Sequence, residues 1–348
     1  MGVDLGDLSV KHPTTLAELS GKTLAIDAFN ILYQFLASIR QEDGTSLMDF
    51  KGRITAHLSG LFYRNARLLE SGIRPIYVFD GKAPSFKGAT QEARAFARDE
   101  ATRKWKEALE QEDLAGAKKY AQATSRLTGE MIEESKQLLG AMGIPFYQAP
   151  SEGEAQAAQL VRSGVAYATA SQDYDALLFG SPFLIRNLSI TGRRKVPREN
   201  RFVLVEPERI ELQETLQQLG LSHVQLLLIG ILVGNDFNQG IRGVGPKTAL
   251  KIVKEHRTLA DVRAYVQQKY NRNFEEDVDA VFQFFEHPPV DKDPPAFHWS
   301  EPKSEEVKRI LCSEHDFSEE RVDRTLGTMT AQFKEKASQK KLEQWFCF

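Results

Sequence analysis

Cysteine is almost absent from this chain of 348 residues. The only two cysteines, Cys312 and Cys347, are far apart in the sequence and form no C-x-x-C pair. This pattern excludes a disulfide-stabilised scaffold and a zinc site built from thiolates. The seven histidines show no H-E-x-x-H spacing, so a zinc enzyme with histidine ligands is not expected either.

Long hydrophobic runs are also lacking. The longest, residues 226–233, has eight residues, whereas a membrane-spanning helix needs roughly 20. Residues 1–5 lack the basic and hydrophobic regions of a secretory signal, and Gly6 stands where a myristoylation signal has Ser or Thr. We therefore expect a soluble, intracellular protein that does not bind membranes.

The net charge is small and gives no overall basic field. The chain has 45 Lys and Arg residues against 48 Asp and Glu residues, a formal net charge of −3. Any binding of nucleic acid must therefore depend on local patches. A content of 41% hydrophobic and 27% charged residues is typical of a globular protein, and the length fits one large or two ordinary domains.

Three short apolar runs predict buried strands, and each is followed by acidic residues. The runs are residues 23–26, 75–79 and 166–170, and the acids that follow them are Asp27, Asp80, and the pair Asp173 and Asp175. Helical periodicity between the runs indicates an α/β fold with crossovers between parallel strands. Ligands of such sheets bind outside the carboxyl ends of the strands, so we expect these acids at one edge.

Three other segments depart from this pattern of strands and helices. Residues 82–127 are highly charged and have few large aliphatic side chains, so we interpret them as an insertion into the core, helical over residues 100–120. From residue 226 onwards the pattern is helical, with a glycine-rich turn at residues 240–247. Residues 287–302 contain five prolines and predict a loop or joint.

Seven acidic residues form the principal candidate site: Asp27, Asp80, Glu152, Glu154, Asp173, Asp175 and Asp236. Ligands that offer only oxygen suit Mg²⁺ or Mn²⁺. Two such ions about 4 Å apart can activate a water molecule and stabilise the leaving oxygen of a phosphodiester. So many carboxylates at one edge would repel each other strongly without cations between them.

Each acid also has a simpler interpretation. A single Asp at a strand end usually forms a turn, and Asp236 could be a loop acid. Ser151 and Glu154 have the spacing of a capping box, so Glu154 taken alone is better explained as a cap than as a ligand. Acids are favoured in any first helical turn, which accounts for Glu152. The convergence of several strand ends is what favours a metal site.

Basic residues are concentrated in local patches. Residues 82–106 contain seven Lys or Arg against three acids, with Phe86, Phe96 and Trp105 among them. Basic side chains with interleaved aromatic rings can bind phosphates and stack on unpaired bases, although a solvated helix with i,i+4 ion pairs explains the pattern equally well. A second basic cluster at residues 193–201 fits a surface loop.

Two motifs lie towards the C-terminus. The turn at residues 243–247 opens a helix with further lysines, and the free amides of such a helix start bind anions; a tight connection is the alternative. In the tail, one helical turn would bring Leu342, Trp345 and Phe346 together as a plug for a partner's pocket. Ordinary core packing is the alternative for these three residues.

With these residues in view, the chain resembles the flap endonucleases, the structure-specific 5′ nucleases of DNA replication and repair. The resemblance covers nearly the whole length, and five acidic motifs occur in the family's order. They are LAIDA (24–28), YVFDGK (77–82), APSEGEA (149–155), SQDYD (171–175) and GNDF (234–237), followed by GIRGVGPK (240–247). The compact length and the motif in the tail are more similar to archaeal members than to eukaryotic ones.

The resemblance implies a PIN-like α/β nuclease core with a parallel sheet at residues 1–222. A helical arch at about residues 82–127 would interrupt this core. Residues 223–328 would form a helical DNA-binding region that contains a helix-two-turn-helix and completes the core. Residues 329–348 would be a flexible tail with a sliding-clamp-binding motif.

The resemblance also implies roles for individual residues. Asp27, Asp80, Glu152 and Glu154 would bind a first Mg²⁺ ion, and Asp173, Asp175 and Asp236 a second, with Mn²⁺ as a substitute. Lys87 and Arg94 would steady the scissile phosphate at the base of the arch, and Tyr33 would stack on the neighbouring base. The further DNA contacts would be Gly2, Arg40, Arg64, Gly243, Gly245 and Lys247, with a K⁺ ion at the glycine turn. The residues that match the clamp motif are Gln339, Leu342, Trp345 and Phe346.

The implied activity is cleavage near the junction of a 5′ flap and duplex, with 5′–3′ exonuclease activity, by two-metal catalysis. It would serve Okazaki fragment processing and base-excision repair. The protein would be a monomer that binds branched DNA and the sliding clamp (PCNA). It would act in the cytoplasm or nucleoid of an archaeal cell. One alternative is a related excision-repair or junction nuclease; the lack of a very long insertion after Lys82 argues against the former. Another is a clamp-tethered DNA-binding protein without chemistry, which would gain nothing from seven clustered acids.

Overall fold

The computed structural model of the protein describes residues 2–188, 192–195, 202–274 and 276–346. The strands are β1 (Lys11–Pro13), β2 (Thr23–Asp27), β3 (Arg74–Phe79), β4 (Phe146–Gln148), β5 (Ala168–Ala170), β6 (Phe183–Arg186), β7 (Gly192–Lys195), β8 (Phe202–Val205) and β9 (Glu208–Glu211). The first helices are α1 (Ala28–Ser38), α2 (Ala56–Glu70), α3 (Gly88–Glu110), α4 (Leu114–Ala121), α5 (Gly129–Ala141), α6 (Gly153–Arg162) and α7 (Asp175–Leu178). The later helices are α8 (Leu212–Leu219), α9 (His223–Val233), α10 (Pro246–Glu255), α11 (Leu259–Tyr270), α12 (Val278–Glu286), α13 (Ser304–Lys308) and α14 (Glu319–Phe346).

A seven-stranded sheet in the order β1-β9-β6-β5-β2-β3-β4 forms the centre of the fold. The five strands from β6 to β4 are parallel to one another, and β9 runs antiparallel to β6 and β1. The three strands predicted from the sequence are β2, β3 and β5, which are neighbours. In the register Ile26 lies opposite both Tyr77 and Ala170, so the three strands end at the same edge. The predicted α/β fold with a parallel-dominated sheet is confirmed.

Alternating side chains of the central strands bury both faces of the sheet. Leu24, Ile26 and Phe79 pack in a core with residues of α1, α2 and α5. Ala25 and Val78 face the other way and pack with residues of α6. Burial on both faces explains why these strands appear in the sequence as continuous apolar runs rather than as an alternating pattern.

The predicted insertion, residues 82–127, lies between β3 and α5 and is mostly helical. The prediction that its helix begins near residue 100 is wrong, because α3 begins at Gly88. The alanine-rich first half of α3 has high helix propensity in spite of its charge. The predicted stretch at residues 100–120 is helical except for a short turn between α3 and α4 at Glu112, whose φ is +56°.

The C-terminal helices return to the core of the sheet. The loop predicted at residues 287–302 contains no helix or strand, and the Ser300 N–H donates to the Gly143 carbonyl at 3.0 Å. Beyond it, Val307, Leu326 and Met329 pack in the same core as α1 and α2. The predicted boundary near residue 329 thus falls within α14, whose backbone is helical to Phe346, and the division into three units stays a prediction.

Part of the predicted second basic cluster lies on a strand. Residues 193–195 belong to β7, which pairs with β8 in a two-stranded antiparallel sheet. The rest of the cluster, residues 196–201, lies outside the described residues. The interpretation of residues 193–195 as a loop is therefore wrong, because their backbone forms a ladder with residues 202–204.

Within the described ranges, no single helix is long and apolar enough to cross a membrane. The consecutive helices α8 and α9 reach that length and composition only as a pair, and they are bent by 85°. Residues of α9 from Leu226 to Leu232 are buried among α7, α10 and α12.

Gly60 allows α1 and α2 to pack closely. A Cβ atom at Gly60 would lie 2.2 Å from Cγ of the buried Phe35, whereas one at Gly140, exposed on α5, would meet nothing within 4 Å. We expect Gly60→Ala to destabilise the fold by about 1–3 kcal/mol through overpacking. We expect Gly140→Ala to stabilise it by about 0.5–1 kcal/mol. Thermal unfolding in EDTA checks both, and equal midpoints would contradict the packing argument.

Candidate active site

The structure brings the seven predicted acids together at the carboxyl edge of the sheet. They come from five segments. Asp27 ends β2, Asp80 follows β3, Glu152 and Glu154 lie at the start of α6, Asp173 follows β5, Asp175 begins α7, and Asp236 follows α9. Direct contacts join these segments: Asp80 Oδ1 accepts the Gly153 N–H at 2.7 Å, and the Ser171 hydroxyl donates to Glu154 Oε1 at 2.7 Å.

Burial and mutual repulsion shift the titration of these carboxyls. The pKa values of three of them are raised well above their ordinary range, first by burial and then by neighbouring carboxylates: Asp27, Glu154 and Asp175. Burial also raises the pKa values of Asp80 and Asp173. Ionisation of these carboxyls is therefore unfavourable in the folded protein unless nearby donors or cations compensate their charge.

Two cations of the insertion offset part of that charge. Lys87 Nζ lies 2.6 Å from Glu152 Oε2, with both side chains largely buried, and Arg94 on α3 pairs with Asp236. Burial alone would raise the pKa of Asp236, but nearby positive groups, chiefly the Arg94 guanidinium and also Lys87, together outweigh burial and lower that pKa. Burial alone would lower the pKa of Lys87, and the carboxylates of Glu152 and Asp80 raise it instead.

The donor set fits hard divalent cations. It consists of carboxylate oxygens, largely buried and mutually repelling, which are the ligands that Mg²⁺ and Mn²⁺ prefer. In the part of the chain that the structure describes, no group of three or more His, Cys, Asp or Glu side chains is arranged to hold a metal ion as the side chains stand. Two of the carboxylates are instead engaged by cations, Glu152 by Lys87 and Asp236 by Arg94.

The capping box proposed for Ser151 and Glu154 is wrong. The helix α6 has Glu152 at its N-cap position and no side-chain cap from that residue. The Ser151 hydroxyl donates instead to the Lys82 carbonyl at 3.1 Å, and Glu154 bonds to Ser171. Asp80 takes over the role of the cap by accepting the Gly153 N–H. The simpler interpretation of Glu154 therefore does not hold.

For Asp27 a local structural role and a role as a metal ligand are compatible. It is the N-cap of α1, and its Oδ1 accepts the Asn30 N–H at 3.1 Å. Its Oδ2 lies 3.5 Å from the Ser171 hydroxyl. One oxygen therefore begins the helix while the other faces the remaining acids.

A rigid loop holds Asp236. Asn235 Nδ2 donates to Asn238 Oδ1 at 2.7 Å, and Asn235 Oδ1 accepts the Phe237 N–H at 2.8 Å. The backbone closes tightly behind it, since a Cβ at Gly234, where φ is +97°, would lie 2.6 Å from the Gln239 carbonyl oxygen. The asparagines that flank the acid therefore fix the loop that presents it.

The N-terminal segment lies beside the acids. The Val3 N–H donates to Asp175 Oδ1 at 2.6 Å. A Cβ on Gly2 would lie 2.8 Å from Asp173 Cβ and 2.9 Å from Asp175 Oδ1. Gly2 therefore packs directly beside these two acids, where no larger residue fits without a shift, and its contact with DNA stays a prediction.

Three predicted DNA contacts lie on or beside α1 and α2. Tyr33 is 38% exposed on α1. Arg40 donates to the carbonyl of Gly44 at 2.8 Å and to the Ser125 hydroxyl at 3.0 Å, so it braces the insertion against the loop after α1. Arg64 is half buried on α2 and lines a small pocket.

The glycine-rich turn precedes α10. Gly243 has a φ of +89°, a conformation that favours glycine, and Gly245 is the N-cap of α10. Lys247 is largely exposed and pairs with Asp7 at 3.1 Å. Of the predicted clamp-binding residues, the structure gives only a helical backbone within α14. The side chains of Gln339, Leu342, Trp345 and Phe346 lie outside what it describes.

Sequence reasoning missed two polar residues of the site. Asn30 donates from Nδ2 to Asp173 Oδ2 at 2.9 Å, and Ser171 bonds to Glu154. A signal for Asn30 existed, because it is a lone amide in the otherwise apolar first half of α1. Ser171 could be found from its place directly after β5, where the sheet edge begins.

Comparison with known proteins identifies the family. The family model of the XPG N-terminal domain matches residues 5–101, and that of the XPG I-region matches residues 143–236. Flap endonuclease 1 of Pyrococcus abyssi is 51% identical over 347 residues, covering 99% of this chain and 98% of the relative. Flap endonuclease 1 of Thermococcus onnurineus is also 51% identical and covers 99% of each chain. The chain belongs to the flap endonuclease family.

Solved structures agree with this assignment. The flap endonuclease-1 from Methanococcus jannaschii is 38% identical with a TM-score of 0.75, covering 96% of this chain and 100% of that one. The catalytic core of Rad2 in complex with DNA substrate is 25% identical with a TM-score of 0.68, covering 94% of this chain and 100% of that one. The resemblance seen in the sequence is confirmed, and this flap endonuclease is a structure-specific nuclease of a family that depends on divalent metal ions.

Repulsion between the acids predicts that their ionisation destabilises the fold of this flap endonuclease. Because the pKa of Asp175 is raised in the folded state, its ionisation destabilises the fold as pH rises above the ordinary carboxyl range near 4. We expect Asp175→Asn, which keeps an acceptor for the Val3 N–H, to unfold at a higher temperature than the parent in EDTA at pH 7. The difference should shrink towards pH 4.

Thermal unfolding across this pH range measures the effect. The matched control is Asp99→Asn, at an exposed acid of α3, and it should leave the midpoint unchanged. A lower midpoint for Asp175→Asn than for the parent at pH 7 would contradict the repulsion argument.

Proposed function

We propose that this flap endonuclease hydrolyses a DNA phosphodiester near the junction of a 5′ flap and duplex with the help of two Mg²⁺ ions. The observation that carries the proposal is the convergence of seven carboxylates from five segments on one sheet edge. The first ion would be held by Asp27, Asp80, Glu152 and Glu154, and the second by Asp173, Asp175 and Asp236. Mn²⁺ would substitute, since it accepts the same oxygen ligands.

Bound divalent ions of this kind lower the pKa of a water molecule and stabilise the leaving oxygen. The protein's own cations complete the site. Lys87 and Arg94 are already directed at the acids, so they stand where a phosphate would approach. With the carboxylates engaged by metal, these two cations would turn to the phosphate and offset its developing charge. Catalysis would then use two cations that also neutralise the resting site.

Other residues would hold the DNA. The exposed ring of Tyr33 would stack on the base next to the scissile phosphate. Gly2, which packs closely beside Asp173 and Asp175, would contact the DNA next to the acids. Arg40 and Arg64 would contact or brace the DNA near the junction. The turn with Gly243, Gly245 and Lys247 would bind the duplex backbone through amides and a lysine, together with a K⁺ ion.

The cellular role follows from the substrate. Cleavage of 5′ flaps, with 5′–3′ exonuclease activity, would serve Okazaki fragment processing and base-excision repair. The protein would act as an intracellular monomer, in the cytoplasm or nucleoid of an archaeal cell. It would be recruited by the sliding clamp (PCNA) through Gln339, Leu342, Trp345 and Phe346.

The carboxylate assignment is tested at Asp80. We expect Asp80→Ala to abolish cleavage of an end-labelled double-flap duplex in Mg²⁺ while flap binding remains measurable, because the substitution removes an acid and not a DNA contact. Because Asp80 also caps α6, Asp80→Asn serves as a second variant that keeps the acceptor and should be equally inactive. Gel-based cleavage with EDTA as a control measures this.

The substrate is tested in the same assay. The matched control variant is Asp99→Ala, at an exposed acid on the insertion, which should cleave like the parent. Full activity in Asp80→Ala would contradict the assignment of the acids. A preference for four-way junctions over double flaps would move the proposal to a junction nuclease.

The clamp motif is tested by binding. Large apolar side chains at the centre of an interface typically contribute about 2 kcal/mol or more, so Phe346→Ala should weaken binding to a purified archaeal sliding clamp at least about 30-fold. Surface plasmon resonance measures the dissociation constant. Thr330→Ala, on the preceding part of α14, is the control and should bind like the parent. Equal affinities for all three proteins would contradict the motif.

A further inference from the structure

Asn30 connects two segments that carry acids. Its backbone N–H donates to Asp27 Oδ1 at 3.1 Å, and its side-chain Nδ2 donates to Asp173 Oδ2 at 2.9 Å. Its Oδ1 accepts the Gln172 N–H at 3.1 Å. One residue in the first turn of α1 thereby fixes both the carboxylate of Asp173 and the backbone that precedes it.

Ser171 makes a second connection between three segments. Its hydroxyl donates to Glu154 Oε1 at 2.7 Å and accepts the Asp173 N–H at 3.2 Å. Asp27 Oδ2 lies further away, at 3.5 Å. A hydroxyl has one proton, so the short contact to Glu154 takes it. The serine therefore orients the carboxylate of α6 relative to the turn after β5.

These two residues differ from Lys87 and Arg94 in being neutral. A cation paired with a carboxylate is repelled when a divalent ion binds to the same group. A neutral donor occupies one lone pair of a carboxylate oxygen, and the other lone pairs remain available to a metal. Asn30 and Ser171 can thus keep their hydrogen bonds in both the free and the metal-bound site.

We propose that Asn30 and Ser171 are positioning residues that tie the two ligand groups of the site together. Asp27 and Glu154 belong to the first group and Asp173 to the second, and each bridge joins one group to the other. This inference rests on the two-ion site of the proposed function. Hydrogen-bonding partners of metal ligands contribute about 10–100-fold to metal affinity, so loss of either bridge should weaken binding by about that factor.

The experiment titrates Mn²⁺ into the full-length protein without DNA, by isothermal calorimetry. We expect Asn30→Ala and Ser171→Ala to bind at least about tenfold more weakly than the parent, and Ser171→Thr, which keeps the hydroxyl, to bind within a few-fold of it. The matched controls are Asn65→Ala and Ser135→Ala, which remove a buried amide bonded to Tyr77 and a buried hydroxyl bonded to the Met131 carbonyl. Both should bind like the parent.

A second readout separates positioning from a general loss of structure. In cleavage of the double flap, the Asn30→Ala and Ser171→Ala variants should need about tenfold more metal for half-maximal rate, and excess metal should restore most of the rate. Thermal unfolding in EDTA shows which variants fold. Should Asn30→Ala not fold, the comparison of Ser171→Ala with Ser171→Thr still decides.

The outcomes distinguish this inference from the proposed function. No Mn²⁺ binding by the parent protein would overturn the two-ion site and the inference with it. Binding by the parent that is equally strong in Asn30→Ala and Ser171→Ala would overturn the inference alone. Weakening of the same size in Asn65→Ala and Ser135→Ala would also overturn it, because the effect would then be one of general stability.

Discussion

Repulsion between carboxylates at one edge of a buried sheet is the constraint on which this structure depends. In a low-dielectric setting, like charges a few ångströms apart are costly unless donors and cations surround them. The fold supplies backbone amides at Asp80 and Asp175, neutral side chains at Asn30 and Ser171, and the two cations of the insertion. Each of these groups comes from a different element of the chain, so the site requires the whole fold.

The rest of the architecture keeps the edge rigid. The strands β2, β3 and β5 set the spacing of their acids through a fixed parallel register. The C-terminal helices add a further layer over the face covered by α1 and α2, where Val307 and Met329 join the core. Repulsion between the acids favours their moving apart, and the packing of the sheet that carries them opposes such movement.

The sequence predicts the elements of this site better than their connections. The strands, the acids that follow them and the insertion follow from local patterns, because a short apolar run ending in Asp depends only on neighbours in the sequence. The capping box at Ser151 fails because the Lys82 carbonyl, far away in the sequence, takes its hydroxyl. The start of α3 is misplaced because charge density obscures the helix propensity of its alanines. Local patterns could single out Asn30 and Ser171 as polar residues but could not give their partners, which are 143 and 17 positions away in the sequence.

Helix starts explain why the fold tolerates so many acids at one place. Asp27 is the N-cap of α1 and Glu152 that of α6, while Glu154 lies in the first turn of α6. Free N–H groups and the positive end of the helix dipole favour negative charge there. An acid at such a position can stabilise its helix with one oxygen and leave the other for a cation, as Asp27 does. An acid at this edge can therefore be both a helix cap and a metal ligand. The free N–H groups and the positive end of the helix dipole, which make it a good cap, also allow it to remain close to other acids until a cation binds.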